Sequence, residues 1–228
     1  MNGVTFGDFH TINDWDLLMT SKSIGNAEPK TNYIQIPGAD GEKDLTEAFC
    51  EVKYQDRTIT TTFDMFQKPS EWMRIKDEII NYLNGKKVKI IFDIDPNYYY
   101  YGRCKVTSSS NTYNVGHLTI EAKCEPYKYK VNKTIITKTV SSGNTYTYTN
   151  DRKTVIPTIN SSAAMTISFN GSSYSLTAGD NNLLKIKFKQ GNNDIKVTSG
   201  SGTLTVTYQE GRLWDIKLFL MILIFFMI

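Results

Sequence analysis

The sequence predicts a mainly β protein in two parts: a β-rich α+β N-terminal domain, with one helix packed on an antiparallel sheet, and a C-terminal β-sandwich. Three observations lead there. A single helical periodicity stands among alternating apolar and polar runs in the first 130 residues. Beyond Pro126 the composition shifts, with Ser, Thr and Asn making 33 of the 83 residues from 131 to 213, in short runs separated by Gly- and Asn-rich turns. The whole chain of 228 residues is 40% hydrophobic and 21% charged, too apolar for a disordered chain and too polar for a multi-span membrane protein. The organisation expected is 1–130, 131–213 and an apolar extension, 214–228.

The helix is expected from Glu71 to Leu83, where Trp72, Ile75, Ile79 and Leu83 step by three or four and form one stripe, with Met73 and Ile80 beside it. Pro69-Ser70 supplies the start, the Ser70 hydroxyl being suited to accept from a free backbone N–H, and Gly85 supplies the stop. Arg74, Lys76, Asp77, Glu78 and Asn81 fall on the solvent side. Strands are expected before it, from Arg57 to Phe66, and after it, from Val88 to Ile94, Tyr98 to Val106 and Tyr113 to Cys124, with a turn at Asp95-Pro96-Asn97. The sandwich strands are Thr134–Val140, Thr145–Thr149, Met165–Phe169, Ser173–Leu176, Leu183–Lys189, Asp194–Thr198 and Thr203–Tyr208, with a hairpin at Asn170-Gly171. In Leu183–Lys189 apolar residues alternate with lysine, so the lysines guard a solvent face or sheet edge.

A search for chemistry nominates no catalytic, cofactor-binding or metal-ligating residue, and no cofactor is expected. His10 and His117 lie beside no Ser, Cys or carboxylate pattern of a hydrolase. Phosphate-loop, zinc-protease and dinucleotide motifs are missing from the sequence. Cys50, Cys104 and Cys124 are far apart with no C-x-x-C pair, and the last two fall on apolar strand faces, so buried thiols are expected. Asp40-Gly41-Glu42-Lys43-Asp44 lacks the spacing of a calcium loop and reads as a hairpin tip. Tyr98 to Tyr101 would alternate faces of a strand, two entering the core and two facing out or into a subunit contact. Tyr146, Tyr148, Tyr174 and Tyr208 are suited either to stack on sugar or to fill a sandwich core.

Charge and termini set the setting. The net charge of +3 gives no field for nucleic-acid recognition. The first residues carry no basic region followed by an apolar run, so synthesis and folding in a reducing cytoplasm are expected. Leu218 to Ile228 reads LFLMILIFFMI, 11 apolar residues that as a helix would reach about 16 Å against a hydrocarbon core of roughly 30 Å. A gene end altered by a frameshift, a segment buried against another subunit and a shallow membrane anchor are the three readings, the first being favoured.

Several segments, taken in order, resemble the distal tail proteins of long-tailed, non-contractile bacteriophages and prophages. They are Phe6-Gly7-Asp8-Phe9-His10, the IQIPGADGEKDLTE stretch from Ile34 to Glu47, the strand opened by Arg57, the helix ending LNGKK, the FDIDPNYYYYGRCKV run from Phe92 to Val106, and EAKCEPYKYK from Glu121 to Lys130. The resemblance implies a non-enzymatic homo-hexameric ring at the virion tail tip. Its first domain would continue the tail tube, and its second, galectin-like or carbohydrate-binding-module-like, would project outward. It implies as partners the major tail-tube protein, the tape-measure protein, the tail-associated lysin and receptor-binding proteins, with host cell-surface carbohydrate an open addition. The pattern finishes near Leu213. Two other classes stay open: a carbohydrate-binding adhesion module acting through the sandwich, and a cell-wall hydrolase whose acid and base the sequence does not single out.

Overall fold

The computed structural model describes residues 3–48, 51–112 and 115–213. Cys50, Tyr113 and the apolar extension from Trp214 to Ile228 lie outside the described residues. Two units divide the chain, Met1–Lys128 and Tyr129–Ile228. Strand is the dominant element and the fold is mainly β.

In the first unit the elements are β1 (Val4–Phe6), β2 (Phe9–His10), β3 (Leu18–Ile24), β4 (Tyr33–Gln35), β5 (Glu42–Asp44), β6 (Arg57–Met65), α1 (Pro69–Leu83), β7 (Lys87–Phe92), β8 (Tyr98–Thr112), β9 (Val115–Cys124) and the start of β10 (Lys128–Lys130). Seven of these form an antiparallel path in the order β2-β1-β7-β8-β9-β6-β3. Alternation decides the two faces. Ile59, Phe63 and Met65 on β6, Val88, Ile90 and Phe92 on β7, and Leu118, Ile120 and Ala122 on β9 are buried together. The sheet curls until its ends approach: the Phe6 and Phe63 rings meet at 6.3 Å, and Lys22 of edge strand β3 turns inward over the Phe92 ring, 5.1 Å from its centroid.

Helix α1 buries the four predicted residues Trp72, Ile75, Ile79 and Leu83 against that face. Its start differs from the expectation. Lys68 is the N-cap, no side chain caps the helix, and Pro69 occupies its first turn, where a missing N–H loses no bond and a fixed φ suits the helix. Ser70 is therefore already helical. Gly85 ends the helix at φ +80°, a conformation that other residues adopt at a cost. Trp72 lies on β9 because Gly116 has no side chain; a Cβ there would stand 2.4 Å from the indole. Met73 is exposed, so it is not part of the buried stripe.

Two side chains and a backbone turn fasten this unit. Asp93 accepts from the Gly3 N–H at 2.8 Å and lies 3.1 Å from His10 Nε2. The turn closes through Asp95 N–H to Phe92 O at 2.9 Å and Tyr98 N–H to Asp95 O at 3.2 Å, so β7 ends at Phe92 and Ile94 is exposed in the turn rather than in a strand. Arg57 is buried, packs 5.6 Å from the Tyr100 ring and donates to the Pro126 carbonyl. Burial lowers its pKa from the ordinary value.

In the second unit, β11 (Thr134–Ser141), β12 (Thr145–Asn150), β13 (Thr158–Ser161), β14 (Met165–Phe169), β15 (Ser172–Leu176), β16 (Gly179–Asn182), β17 (Gly191–Ser199), β18 (Ser201–Tyr208) and β19 (Gly211–Arg212) follow. Eight make two four-stranded sheets, β11-β18-β13-β16 and β12-β17-β14-β15, enclosing Tyr148, Ile167, Phe188, Ile195, Val206 and others. Asn170 at φ 49° and Gly171 at φ 78° form the predicted hairpin turn. Leu183–Lys189 is not a strand. Its Ile186 and Phe188 are buried as the alternation implied, but Leu184 is exposed, Ile186 N–H turns back to Leu183 O, and Phe188 makes only an isolated bridge to Val155. Strands β13 and β16, too polar to be signalled, complete the sheet instead. On edge strand β11, Lys138 points inward, donates to Thr147 O at 2.8 Å and lies over the Tyr148 ring.

Trp72→Ala is expected to lower stability by about 3–5 kcal/mol, the usual cost of truncating a buried aromatic, and Gly116→Ala to lower the melting temperature by displacing the same indole; calorimetry on both variants checks this. A second expectation concerns pH. Burial pushes Cys104 and Cys124 up to about 12 from 9.0 and Tyr148 up to about 12 from 10.0. Because the folded state holds these protons more tightly, stability is intact below the unfolded values and falls as pH rises from about 9 towards 12. Urea midpoints at pH 8 and pH 10.5 should show the fall.

Candidate interaction surfaces

The quartet Tyr98 to Tyr101 was expected to divide evenly between core and outside. Only Tyr100 is buried; Tyr98, Tyr99 and Tyr101 are half-buried. Every ring carries a cation: Lys128 lies 4.5 Å from Tyr98, Lys89 4.9 Å from Tyr99, Arg57 5.6 Å from Tyr100 and Lys87 4.4 Å from Tyr101. Each such pair contributes about 0.5–2 kcal/mol, depending on desolvation. The covered ring faces are poor stacking surfaces for a sugar. In the second unit Tyr148 and Tyr208 belong to the core, and Tyr146 and Tyr174 pack half-buried against it.

Lys128 shows how the Asp-Pro-Asn turn is tied down. Its buried ammonium donates to Asp95 Oδ2 at 2.6 Å while lying over Tyr98. Both aspartates of the segment Asp93-Ile94-Asp95 thus hold distant parts of the chain, which no local pattern reveals. The two histidines also acquire carboxylate partners across the fold. Besides His10 with Asp93, His117 Nδ1 lies 2.7 Å from Asp64 Oδ1, on adjacent strands β9 and β6 where the two residues are directly opposite. Among the described residues, no group of three or more His, Cys, Asp or Glu side chains is arranged to hold a metal.

The sheet face opposite the core carries the charge. Lys87, Arg103 and Lys123 are directly opposite one another across β7, β8 and β9. With Lys105, Asp56, Glu121 and Glu125 they line a groove of about 660 Å³ beside the C-terminal end of α1. Lys87 pairs with Glu125 at 2.8 Å, which raises its pKa, that hydrogen bond being the main cause. Lys123 stands 3.9 Å from Asp56, and Arg103 donates to the Gly85 carbonyl.

A second feature is a projecting ribbon. The β3–β6 pairing continues outward through Gly25 N–H to Thr58 O, Gln55 N–H to Glu28 O and Lys30 N–H to Lys53 O, then through Leu45 N–H to Asn32 O into the β4–β5 hairpin. From Gly25 to Ile36 this is about 35–40 Å at roughly 3.3 Å per residue. Tyr33, Ile34 and Ile36 are exposed on it, and none of its described residues belongs to either core. Its tip holds Asp40, Glu42, Asp44 and Glu47 with Lys43, the hairpin tip read from sequence; the Thr46 hydroxyl and N–H bonds hold Asp44 below its ordinary pKa. The sequence marked the turn, but not the pairing that extends it from β3 and β6.

This first unit, a curled antiparallel sheet closed by one helix, has a known counterpart. The family described as phage tail protein RIFT-related domain matches residues 10–124, just over half of the chain. The chain belongs to that family and is a phage tail protein. Its fold is similar to the crystal structure of the SPP1 Dit (gp 19.1) protein, described as a paradigm of the hub adsorption apparatus in phages infecting Gram-positive bacteria. The TM-score is 0.66 at 17% identity, over 92% of this chain and 99% of that one. No curated protein matches the chain. The resemblance to distal tail proteins read from the sequence agrees with both findings. Among the described residues, no helix is long and apolar enough to cross a membrane.

Asp95→Ala should destabilise the protein by about 1.5–3 kcal/mol, as it leaves the buried Lys128 ammonium without its carboxylate. Adding Lys128→Met should recover part of that loss, since removing both members of a buried pair is cheaper than removing one. Urea denaturation of the single and double variants measures the difference.

Proposed function

We propose that the protein is the structural hub of the tail tip of a long-tailed, non-contractile phage or prophage. Six copies form a ring in which residues 1–130 continue the tail tube, and the sandwich of residues 131–213 projects from it as a galectin-like module. The ring joins the major tail-tube protein and the tape-measure end to the tail-associated lysin and receptor-binding proteins. The role is architectural rather than enzymatic. The observation that carries this reading is the likeness to a hub protein across both units of the chain, with almost all of each chain covered. Family membership places the first unit among tail proteins, and the projecting ribbon supports assembly. A two-stranded hairpin is marginal by itself, and one that exposes tyrosine and two isoleucines gains stability when a partner covers it.

Light scattering coupled to size exclusion on the full chain should give a six-copy species, alone or after adding tail-tube protein, and immunogold labelling should mark the tail tip of virions. A chain that stays monomeric at high micromolar concentration in both conditions, with no label at the tip, rules the proposal out. Binding of the full chain to a glycan array without any assembly would favour the adhesion-module reading.

A further inference from the structure

We infer that Asn170, at the tip of the β14–β15 hairpin, is a site of spontaneous modification: its side-chain amide passes through a cyclic imide to aspartate and isoaspartate, with water as co-reactant. The inference stands apart from the hub reading, because it needs neither a partner nor an assembly.

The chemistry is intramolecular. The backbone nitrogen of the residue that follows an asparagine loses its proton and attacks the asparagine Cγ. A carbon–nitrogen bond forms, the bond from Cγ to the amide nitrogen breaks, and that nitrogen leaves as ammonia. Water then opens the imide. Opening at Cγ gives aspartate, and opening at the main-chain carbonyl gives isoaspartate, whose backbone runs through the former side chain. Glycine is the most favourable following residue, since it has no Cβ to obstruct the attack and its backbone is free to turn.

The sequence holds three Asn-Gly dipeptides, Asn2-Gly3, Asn84-Gly85 and Asn170-Gly171, which an unfolded chain would expose to this chemistry alike. The fold separates them. The Gly3 N–H donates to Asp93 Oδ2 at 2.8 Å. The Gly85 N–H donates to Cys104 O at 2.8 Å and the Asn84 N–H to Ile80 O at 3.0 Å, while Asn84 Oδ1 accepts from the Val106 N–H at 3.4 Å. At both sites the attacking nitrogen is engaged, and at the second the side chain is held as well.

Nothing of the kind restrains the third. Phe169 and Ser172 are the last pair of the β14–β15 ladder; Asn170 and Gly171 lie beyond it at φ 49° and 78°, both exposed. Among the described residues, neither the Asn170 side chain nor the Gly171 N–H has a hydrogen-bond partner, and a Cβ added at Gly171 would meet no atom within 4 Å. Other asparagines of the same unit show the contrast: the amides of Asn150, Asn181 and Asn193 each donate to at least two backbone carbonyls. Bringing the Gly171 nitrogen to Cγ requires only that the hairpin tip open, an inexpensive local motion, whereas at Asn84 it undoes the end of α1 and its bond to β8.

The two products differ in consequence. Aspartate suits the left-handed backbone and the Asp-Gly hairpin turn as asparagine does, and adds one negative charge. Isoaspartate lengthens the main chain within a two-residue turn that sets the register of β14 on β15, so it strains the end of the ladder.

The test incubates the full chain at pH 8.5 and 37 °C, folded or in guanidinium chloride, and follows each Asn-Gly peptide by mass spectrometry after proteolysis. In the folded chain Asn170 should convert at least tenfold faster than Asn84, giving two chromatographically separate products; in denaturant the two rates should agree within about threefold. Conversion of Asn170 should slow at pH 6.5, where less of the nitrogen is deprotonated. Asn170→Gly, which keeps a Gly-Gly turn compatible with the hairpin, should remove the acidic species that ion exchange resolves in the aged wild type, and Asn170→Asp should melt as the fresh wild type does. An Asn84 that converts as fast as Asn170 in the folded chain overturns the inference. So does an Asn170 that keeps its amide while the denatured chain loses it, or an acidic species that persists in Asn170→Gly at the wild-type rate.

Discussion

The first unit depends on the seating of one indole. Trp72 stands in the first turn of α1 and packs on β9 at the position where Gly116 presents only backbone. Without that recess the helix would ride higher, and Ile75, Ile79 and Leu83 would lose depth in the curled sheet along with it. The curl in turn brings Phe6 against Phe63 and sets β1 and β2 where Asp93 can hold Gly3 and His10.

The charged side chains of this unit do several kinds of work, and burial sorts them. Lys128 and Arg57 lie inside, each with a tyrosine face and an oxygen acceptor, and each fixes where the chain goes after a turn or a strand. Lys87, Arg103 and Lys123 stand outside on the opposite face, where pairing is partial and water screens what remains. Cys104 and Cys124 are buried thiols with strongly raised pKa values, so their chemistry is suppressed in the folded protein. The structure thus uses these two thiols for packing.

Much of the fold was legible because periodicity reports burial directly. The stripe Trp72, Ile75, Ile79 and Leu83 is buried as read, and Met165–Phe169 has the predicted limits. Failures came where local pattern and burial part company. Leu183–Lys189 alternates like a strand, yet only Ile186 and Phe188 enter the core, and a turn after Leu183 breaks the ladder. Gly179–Asn182 reads as loop, yet it pairs with β13 because Asn and Asp side chains bond across the strands, Asn160 to Asp180 at 2.7 Å and Thr158 to Asn182 at 3.0 Å. Tyr98 should have entered the core by alternation but is held half out beneath Lys128. The ribbon and the basic row were invisible for another reason: each is made by pairing distant residues, and one chain read in order shows neither.

Lys22 and Lys138 acquire a wider meaning once many copies are considered. Each sits on an edge strand and turns its ammonium inward over an aromatic ring of its own unit. A foreign strand laid along β3 or β11 would have to accommodate a charge at that edge, so open-ended strand addition is discouraged. Lys22 and Lys138 therefore obstruct pairing that would propagate into fibres at two of the sheet edges, β3 and β11. The same two lysines that finish the packing of each unit thereby guard its margin against the addition of a foreign strand.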